Sequence, residues 1–346
     1  MPSPPAPRLS ICVATYMRGS FIGETLESIA SQLDPRCELV IVDGASSDNT
    51  EQVVRPFAAK YPSIRYVREA TNSGVDRDYD KAVSYACGDY CWLMTDDDLL
   101  VPGALQRVLQ ALEDNVDLVV VNSQVRTVDL ARQLKPSLLK LVGNSSFGAD
   151  QTDAFFAEVG GYLSFIGGVV IRRSVWLDRQ REPYYGSLFI HVGVIFQAPS
   201  IGSARIVREP LVAIRYGNAM WTARTFEIWM FKWPALVWSF DHLAASARRT
   251  VSARAPYRSL KNLIWYRGIG GYALTEYRKF LRGRIGWPAR LVPLLVARLP
   301  VRFANAMCGL YCWLRWFKPA RMAVYDLARS AQAASLSRAL ARHMRI

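Results

Sequence analysis

Negative charge is what the last third of this 346-residue chain lacks. Residues 216–346 hold 4 Asp and Glu against 22 Lys and Arg, whereas residues 1–215 hold 25 against 21. The formal charge of +14 therefore belongs to the later part. Long apolar runs are also missing. Phe303 to Leu314 falls short of the roughly 20 residues a spanning helix needs, and Arg298, Arg302 and Arg315 break every longer window. Histidine occurs 3 times, and none stands at zinc-site spacing from Cys87/Cys91 or Cys308/Cys312, so a structural zinc is not expected. Met1 to Pro7 is Pro-rich without the apolar stretch of a secretory signal, so the six cysteines are expected to be reduced thiols in a cytosolic compartment. No Gly-x-Gly-x-x-Gly turn follows the first apolar segment and no Gly-Lys-Ser/Thr phosphate loop occurs, which disfavours a dehydrogenase or a P-loop enzyme.

What is present is an alternation. Arg8–Thr15, Glu38–Val42, Ile64–Val67, Tyr90–Met94 and Val116–Asn122 are short apolar segments that read as strands. Between them Phe21–Gln32, Glu51–Tyr61, Asp78–Ala86 and Leu105–Leu112 have helical periodicity. Short connections in such a series predict an α/β fold with a doubly wound, mostly parallel sheet flanked by helices. Tyr90–Met94 ends in three consecutive carboxylates, Asp96, Asp97 and Asp98, at the strand end where open α/β sheets place their ligands. Three adjacent acids repel one another, so this end is expected either to hold a hard divalent cation, Mg²⁺ or Mn²⁺, or to be a solvated cap for the helix that starts near Pro102.

A resemblance becomes specific at these residues. Ile11-Cys-Val-Ala-Thr15, Val42-Asp-Gly-Ala-Ser-Ser-Asp-Asn-Thr50 and Asp96–Asp98, in that order, resemble glycosyltransferase family two, which has the GT-A fold and takes sugars from nucleotide donors. The string Gly74-Val-Asp-Arg-Asp-Tyr-Asp-Lys-Ala82 followed by Gly88 to Asp98 resembles its bacterial abequosyltransferase-like branch, which works in surface-polysaccharide assembly. The similarity is strong to about Val121, extends to Tyr216, and is absent beyond. It implies that Thr15 lines the base pocket, that Asp43 accepts from the base, that Asp76 lies on the donor side and that Arg77 counters phosphate charge. It implies that Asp98 is the metal ligand, with Asp96 or Asp97 near the ribose. Thr95 stands where the family often has Asp, so the functional pair is Asp96 with Asp98 or Asp97 with Asp98. Two plainer alternatives stay open: Asp43 as a cap for the helix after Thr50, and Asp76–Asp80 as a solvated helix start.

Inverting transfer needs a base beside the acceptor hydroxyl. The family offers a Glu-Asp pair after the acceptor-side loop, and here Gly186-Ser-Leu-Phe-Ile-His-Val-Gly-Val-Ile195 stands in its place. His191 is the candidate base, with Asp153 and Glu158 as competitors; the alternative for His191 is a buried histidine bonded to a backbone carbonyl. Phe165–Ile171 reads as a strand whose glycines serve either close approach to a ligand or sheet packing. Arg205–Arg215, with Glu209-Pro210, reads as a strand and turn closing the catalytic part.

The expected division is a nucleotide-sugar-binding catalytic domain over 1–216 and a basic, mostly α-helical region over 217–346. Eight of the ten tryptophans lie from Trp221 onward. Short apolar helices with Trp and flanking Arg suit the membrane interface, where each basic residue adds about 1 kcal/mol of attraction to anionic lipid. The alternative is a helical subdomain with ordinary Trp core; nucleic acid is not expected as a partner, since no base-reading motif accompanies the charge. The expectation is thus a peripheral enzyme on the cytoplasmic face of the inner membrane. It moves a sugar from a nucleoside diphosphate donor to a lipid-linked saccharide. The rivals are transfer to a polyprenyl phosphate and a non-catalytic nucleotide-sugar-binding scaffold.

Overall fold

The computed structural model describes residues 6–140, 143–220, 222–314 and 321–346. Trp221, Arg315 and Trp316, which entered the reading of the basic region, lie outside the described residues. The chain forms two compact units. The first comprises Met1–Val125, Pro136–Arg215 and Phe240–Val251, and the second Arg126–Lys135, Tyr216–Ser239 and Ser252–Ile346. A single cut at 216/217 does not describe this path, because two short segments cross it.

Ten strands among the described residues form one sheet: β1 (Leu9–Thr15), β2 (Cys37–Asp43), β3 (Ile64–Arg68), β4 (Tyr90–Met94), β5 (Leu99–Leu100), β6 (Leu118–Arg126), β7 (Gln133–Lys135), β8 (Ser145–Gly148), β9 (Val169–Arg172) and β10 (Ser203–Arg215). The order is β3-β2-β1-β4-β9-β6-β10-β5, with β7 pairing β6 and β8 pairing β10. The pairs β3–β2, β2–β1 and β1–β4 are parallel. β9 is antiparallel to both β4 and β6, so β6 runs with the parallel strands, and β10 is antiparallel to β5 and β8. The α/β expectation holds, with an antiparallel extension beyond β4.

Side-chain alternation explains why the strands are so uniformly apolar. Leu9, Ile11 and Val13 of β1, Leu39 and Ile41 of β2 and Trp92 and Met94 of β4 share one core with Ile22, Leu26 and Ile29 of α1 (Ile22–Ala30). Val54 of α2 (Thr50–Lys60) and Leu105 and Val108 of α4 (Ala104–Ala111) join it. The residues between them, Cys12, Val40, Val42, Cys91 and Leu93, are buried too, and α3 (Val75–Tyr85) packs on β1 and β2. Strands covered on both faces carry no polar alternation. Each fully buried side chain of this size contributes about 1.5–3 kcal/mol.

Three local expectations are corrected. α3 starts at Val75, not Asp78, because Gly74 (φ 89°) turns the chain into the helix three residues earlier. Ile166–Gly168 is a 3₁₀ turn, and only Val169–Arg172 is strand. A side chain on Gly167 would meet the Phe165 ring and one on Gly168 the Tyr162 ring, so both glycines serve packing. Ser203–Arg215 is one continuous 13-residue strand through Pro210, where a turn was expected.

The second unit is helical, with Leu260–Gly268, Leu291–Arg298, Val301–Leu314, Arg321–Arg329 and Ser335–His343 as its main elements. Phe226, Met230, Tyr266, Tyr272 and Leu281 form one apolar cluster, and Cys308, Cys312, Val324, Leu327 and Leu340 another. Asn305 is fully buried: its amide donates to the carbonyls of Gly268 and Leu327 (both 3.0 Å) and accepts from Ala334 N–H (2.9 Å) and Ser337 Oγ (2.7 Å). The tryptophans divide. Trp229, Trp233 and Trp265 are packed, whereas Trp287 is 82% exposed. No single helix among the described residues is long and apolar enough to cross a membrane; Pro288–Arg298 and Val301–Leu314 together would be, but they meet at 95°.

Candidate active site

The parallel strands deliver their polar ends to one edge of the sheet. Thr15 and Asp43 are register partners at the ends of β1 and β2, and Val13 is level with Met94, after which β4 gives way to Thr95–Asp98. Asp43 is fully buried, with Oδ1 accepting from Ser46 N–H (2.8 Å) and Oδ2 from Tyr66 O–H (2.6 Å). It therefore shapes the turn after β2. Capping at the start of α2 falls instead to Asp48, which accepts from Thr50 N–H (3.1 Å) and Thr50 Oγ1 (2.5 Å) while its other oxygen holds Gly19 N–H (3.0 Å).

The three acids of the triplet have different surroundings. Asp98 is 2% exposed; Oδ1 accepts from Arg215 N–H (2.7 Å) and Oδ2 from Thr95 Oγ1 (2.5 Å). Asp96 and Asp97 both face Arg18, at 3.4 Å from its Nε and 3.2 Å from its Nη2. Burial raises the Asp96 carboxyl to about 7, and the neighbouring Asp97 adds to this, against the opposing pull of Arg18 and Thr15. Burial and Asp97 also raise Asp98, against its two hydrogen bonds. Negative charge is in excess here. Thr15 Oγ1 is buried without a hydrogen bond of good geometry among the described residues.

Arg18 and Arg215 are the residues of this acidic edge that sequence reasoning missed. Arg215 donates from Nε to the Asp97 carbonyl (2.9 Å) and from Nη2 to Glu24 (2.8 Å). Both guanidinium groups lie over the Phe21 ring, at 5.7 Å for Arg18 and 5.3 Å for Arg215. Arg18 sits in the turn after β1, a position that could have flagged it; Arg215 had no local signal.

The acids of α3 are not a solvated helix start. Asp76, 4% exposed, accepts from Leu188 N–H (2.9 Å) and Ile190 N–H (3.2 Å). Asp80, one turn on, accepts from Trp176 Nε1 (2.9 Å) and Tyr185 O–H (2.5 Å) and pairs with Arg181 (2.9 Å). Asp78 accepts from Ser73 Oγ (2.6 Å) and is raised by burial. This face of α3 thus fastens the segment from Trp176 to Ile190. Exposed Arg77 lies 4.5 Å over the Tyr185 ring.

That segment leads into α7 (Ile190–Phe196), which carries His191. The ring is 1% exposed, and Nε2 lies 2.7 Å from the Leu163 carbonyl, so Nε2 carries the proton and donates. Nδ1 is buried without a partner among the described residues. Burial lowers the pKa to about 4, against the pull of the Leu163 bond. This is the geometry of the backbone-bonded alternative. Asp153 and Glu158 stand on α5 (Thr152–Val159) with exposed side chains, and Asp153 Oδ1 accepts from Ala244 N–H (2.8 Å).

Backbone strain gathers in the same loops. Met17 (φ 57°), Ala45 (φ 64°) and Leu188 (φ 73°) are non-glycine residues in the left-handed region, after β1, after β2 and before α7. Such conformations persist where surrounding contacts hold them, and they cluster at functional sites.

Comparison with known proteins agrees with this arrangement. Residues 10–167 match the family model Glycosyl transferase family 2. Abequosyltransferase RfbV of Salmonella typhimurium is 28% identical over 225 residues, 61% of this chain and 67% of that protein. Other curated relatives match over shorter stretches and less than half of their own length. Among solved structures, S. aureus TarS 1-349 in complex with UDP superposes with a TM-score of 0.51 at 15% identity, covering 97% of this chain and 92% of that one. The mannosyltransferase PcManGT of Pyrobaculum calidifontis, solved with GDP-Man and Mn²⁺, gives 0.51 at 18% identity over 99% and 89%. These two likenesses establish the GT-A-like fold. The glycosyltransferase family 2 match over residues 10–167 marks this chain as a glycosyltransferase.

Proposed function

We propose that the first unit transfers a sugar from a nucleoside diphosphate sugar, with the diphosphate held at the acidic end of β4. One observation carries this reading: Asp96 and Asp97 stand together against Arg18 while Asp98 is turned into the protein toward Arg215. Two adjacent carboxylates opposed by one guanidinium suit a hard divalent cation, and the Asp96 carboxyl, raised first by burial and then by Asp97, would be held ionised by such an ion. Mg²⁺ or Mn²⁺ would be held by Asp97 and Asp96, with Asp98 as their anchor, and when bound would offset the charge developing on the departing diphosphate. The GDP-Man and Mn²⁺ bound to PcManGT support this assignment.

Thr15 and Asp43 form the base side of the pocket. A carboxylate offers about four lone-pair sites, so Asp43 keeps capacity for a base N–H after accepting from Ser46 and Tyr66. Asp76 acts on the donor side indirectly, by holding the segment that closes it, and Arg77 is the exposed cation available to phosphate. A thermal-shift panel of nucleoside diphosphates and their sugars, with and without Mn²⁺, tests the reading. Stabilisation by one nucleotide that needs the metal supports it; no nucleotide giving a shift removes it.

For the acceptor we propose a hydroxyl of a lipid-linked saccharide in surface-polysaccharide assembly, on the precedent of RfbV. The second unit supports a membrane-borne acceptor. Phe303, Met307, Leu310 and Leu314 recur at helical spacing along Val301–Leu314, and all four are exposed. Leu291, Val292 and Leu295 extend the exposed apolar surface to the preceding helix, with Trp287 beside them in sequence. Arg290, Arg298 and Arg302 border these residues. Exposed apolar side chains edged by cations fit the interface of an anionic leaflet, which supports a peripheral position for the enzyme on the cytoplasmic face of the inner membrane. Sedimentation with anionic vesicles tests this; a chain that stays in the supernatant at low salt contradicts it.

A further inference from the structure

An open cavity of about 520 Å³ lies at the surface of the second unit, and none of its lining residues is among those assigned above. Its walls come from the segment after β6 and from the helices Arg321–Arg329 and Ser335–His343. Arg132, Arg329, Arg338 and Arg342 line it, with Asp129 as the acidic side chain among them. Among the described residues these four guanidinium groups make no hydrogen bond or ion pair; Arg329 lies 5.3 Å over the Tyr325 ring. Asp129 is engaged elsewhere, accepting from Thr127 Oγ1 and from Ala131 N–H (3.1 Å).

Helix ends favour cations, which accounts for Arg329 and Arg342 in the last turns of their helices. It does not account for Arg132, on a separate segment, or for Arg338, one turn before Arg342 on the same face. Like charges at that spacing disfavour a helix unless an anion lies between them. Guanidinium forks match phosphate oxygens in pairs. We propose that this cavity binds a phosphate or diphosphate group, either on a free solute or on a lipid headgroup. The site is independent of the donor pocket: its residues lie in the other unit, and no metal is invoked.

The test uses the full chain in EDTA, so that metal-dependent binding at the acidic triplet does not contribute. Inorganic pyrophosphate is titrated by calorimetry into the wild type, Arg338→Gln/Arg342→Gln and Arg132→Gln. Vesicles of phosphatidylcholine with and without phosphatidylglycerol are sedimented with each. Wild-type binding of pyrophosphate weakened about tenfold or more in both variants supports the site. If pyrophosphate also displaces the protein from phosphatidylglycerol vesicles, the occupant is a headgroup; if vesicle binding is unchanged in the variants, it is a free phosphate-bearing solute. No pyrophosphate binding by the wild type, or equal binding by all three proteins, overturns the proposal. Arg132 lies outside both helices, so its variant keeps the test valid if the helical pair fails to fold.

Discussion

The backbone N–H of Arg215 donates to Asp98 at 2.7 Å, joining the end of the long strand β10 to the last acid after β4 across 117 positions of sequence. The bond gives Asp98 a structural duty distinct from that of its neighbours. Asp98→Ala is expected to leave the buried Arg215 N–H without an acceptor, at about 1–3 kcal/mol, and to free the half-buried Thr95 O–H. Its melting temperature should fall clearly. Asp97→Asn should melt close to the wild type and lose the Mn²⁺-dependent shift with nucleoside diphosphate. Thermal melts of the two variants with and without ligand check this; the opposite pattern would return the ligand role to Asp98.

Asp96, raised to about 7 by burial and by Asp97, must lose its proton before it can bind a cation. Mn²⁺ affinity of the nucleotide-free protein should therefore fall as pH drops, by about fivefold from pH 7 to pH 6 and about tenfold from pH 8 to pH 6. Calorimetric titration at three pH values reads it directly. In Asp96→Asn the residual affinity should be nearly flat over this range.

His191 gives a pH prediction of the other kind. Its folded pKa of about 4 lies below the ordinary 6.5, so between these values the unfolded chain binds the proton and the native one does not. Its neutral form stabilises the fold fully above pH 6.5, and that contribution is lost as pH falls toward 4. At pH 5 the loss is about 2 kcal/mol. Urea midpoints of wild type and His191→Gln should differ less at pH 5 than at pH 7.5, since the comparison cancels the other titrating groups. Transfer should survive His191→Gln in part and fall further in Asp153→Asn or Glu158→Gln; complete loss in His191→Gln alone would make the imidazole the base.

Leu188 holds φ 73° while Asp76 accepts its N–H. A leucine in that region is strained by roughly 1–3 kcal/mol. Asp76→Ala should free the segment around Leu188 and expose it to limited proteolysis, with higher KM for acceptor. Adding Leu188→Gly should recover part of the lost stability, because glycine adopts this backbone without strain. No recovery would show that the carboxylate does more than hold the turn.

The strands β1, β2 and β4 were legible because burial on both faces leaves an unbroken apolar string ending in turn formers, and the acidic triplet marked the edge where the polar strand ends gather. The acids of α3 were not. Asp76, Asp78 and Asp80 look like a solvated first turn, since for two of them the groups that bury them arrive about a hundred residues later, at Trp176, Arg181, Tyr185, Leu188 and Ile190. Arg215 escaped for the same reason. His191 was visible as a rare residue, but its depth under Leu163 was not. The glycines at 167 and 168 left two readings open until the rings of Phe165 and Tyr162 were placed beside them. Local chemistry reads from local sequence; a carboxylate's duty depends on who meets it.

The course of Arg126–Lys135 has a practical consequence. This decapeptide is encoded inside the catalytic half yet belongs to the helical unit, and Phe240–Val251 makes the reverse excursion. A gene fragment stopped at codon 216 would thus carry an orphaned hairpin while forfeiting the helix that Asp153 caps. Swapping this C-terminal module onto a sister enzyme demands exchange of three separate stretches, so modular recombination between relatives is restricted from the outset.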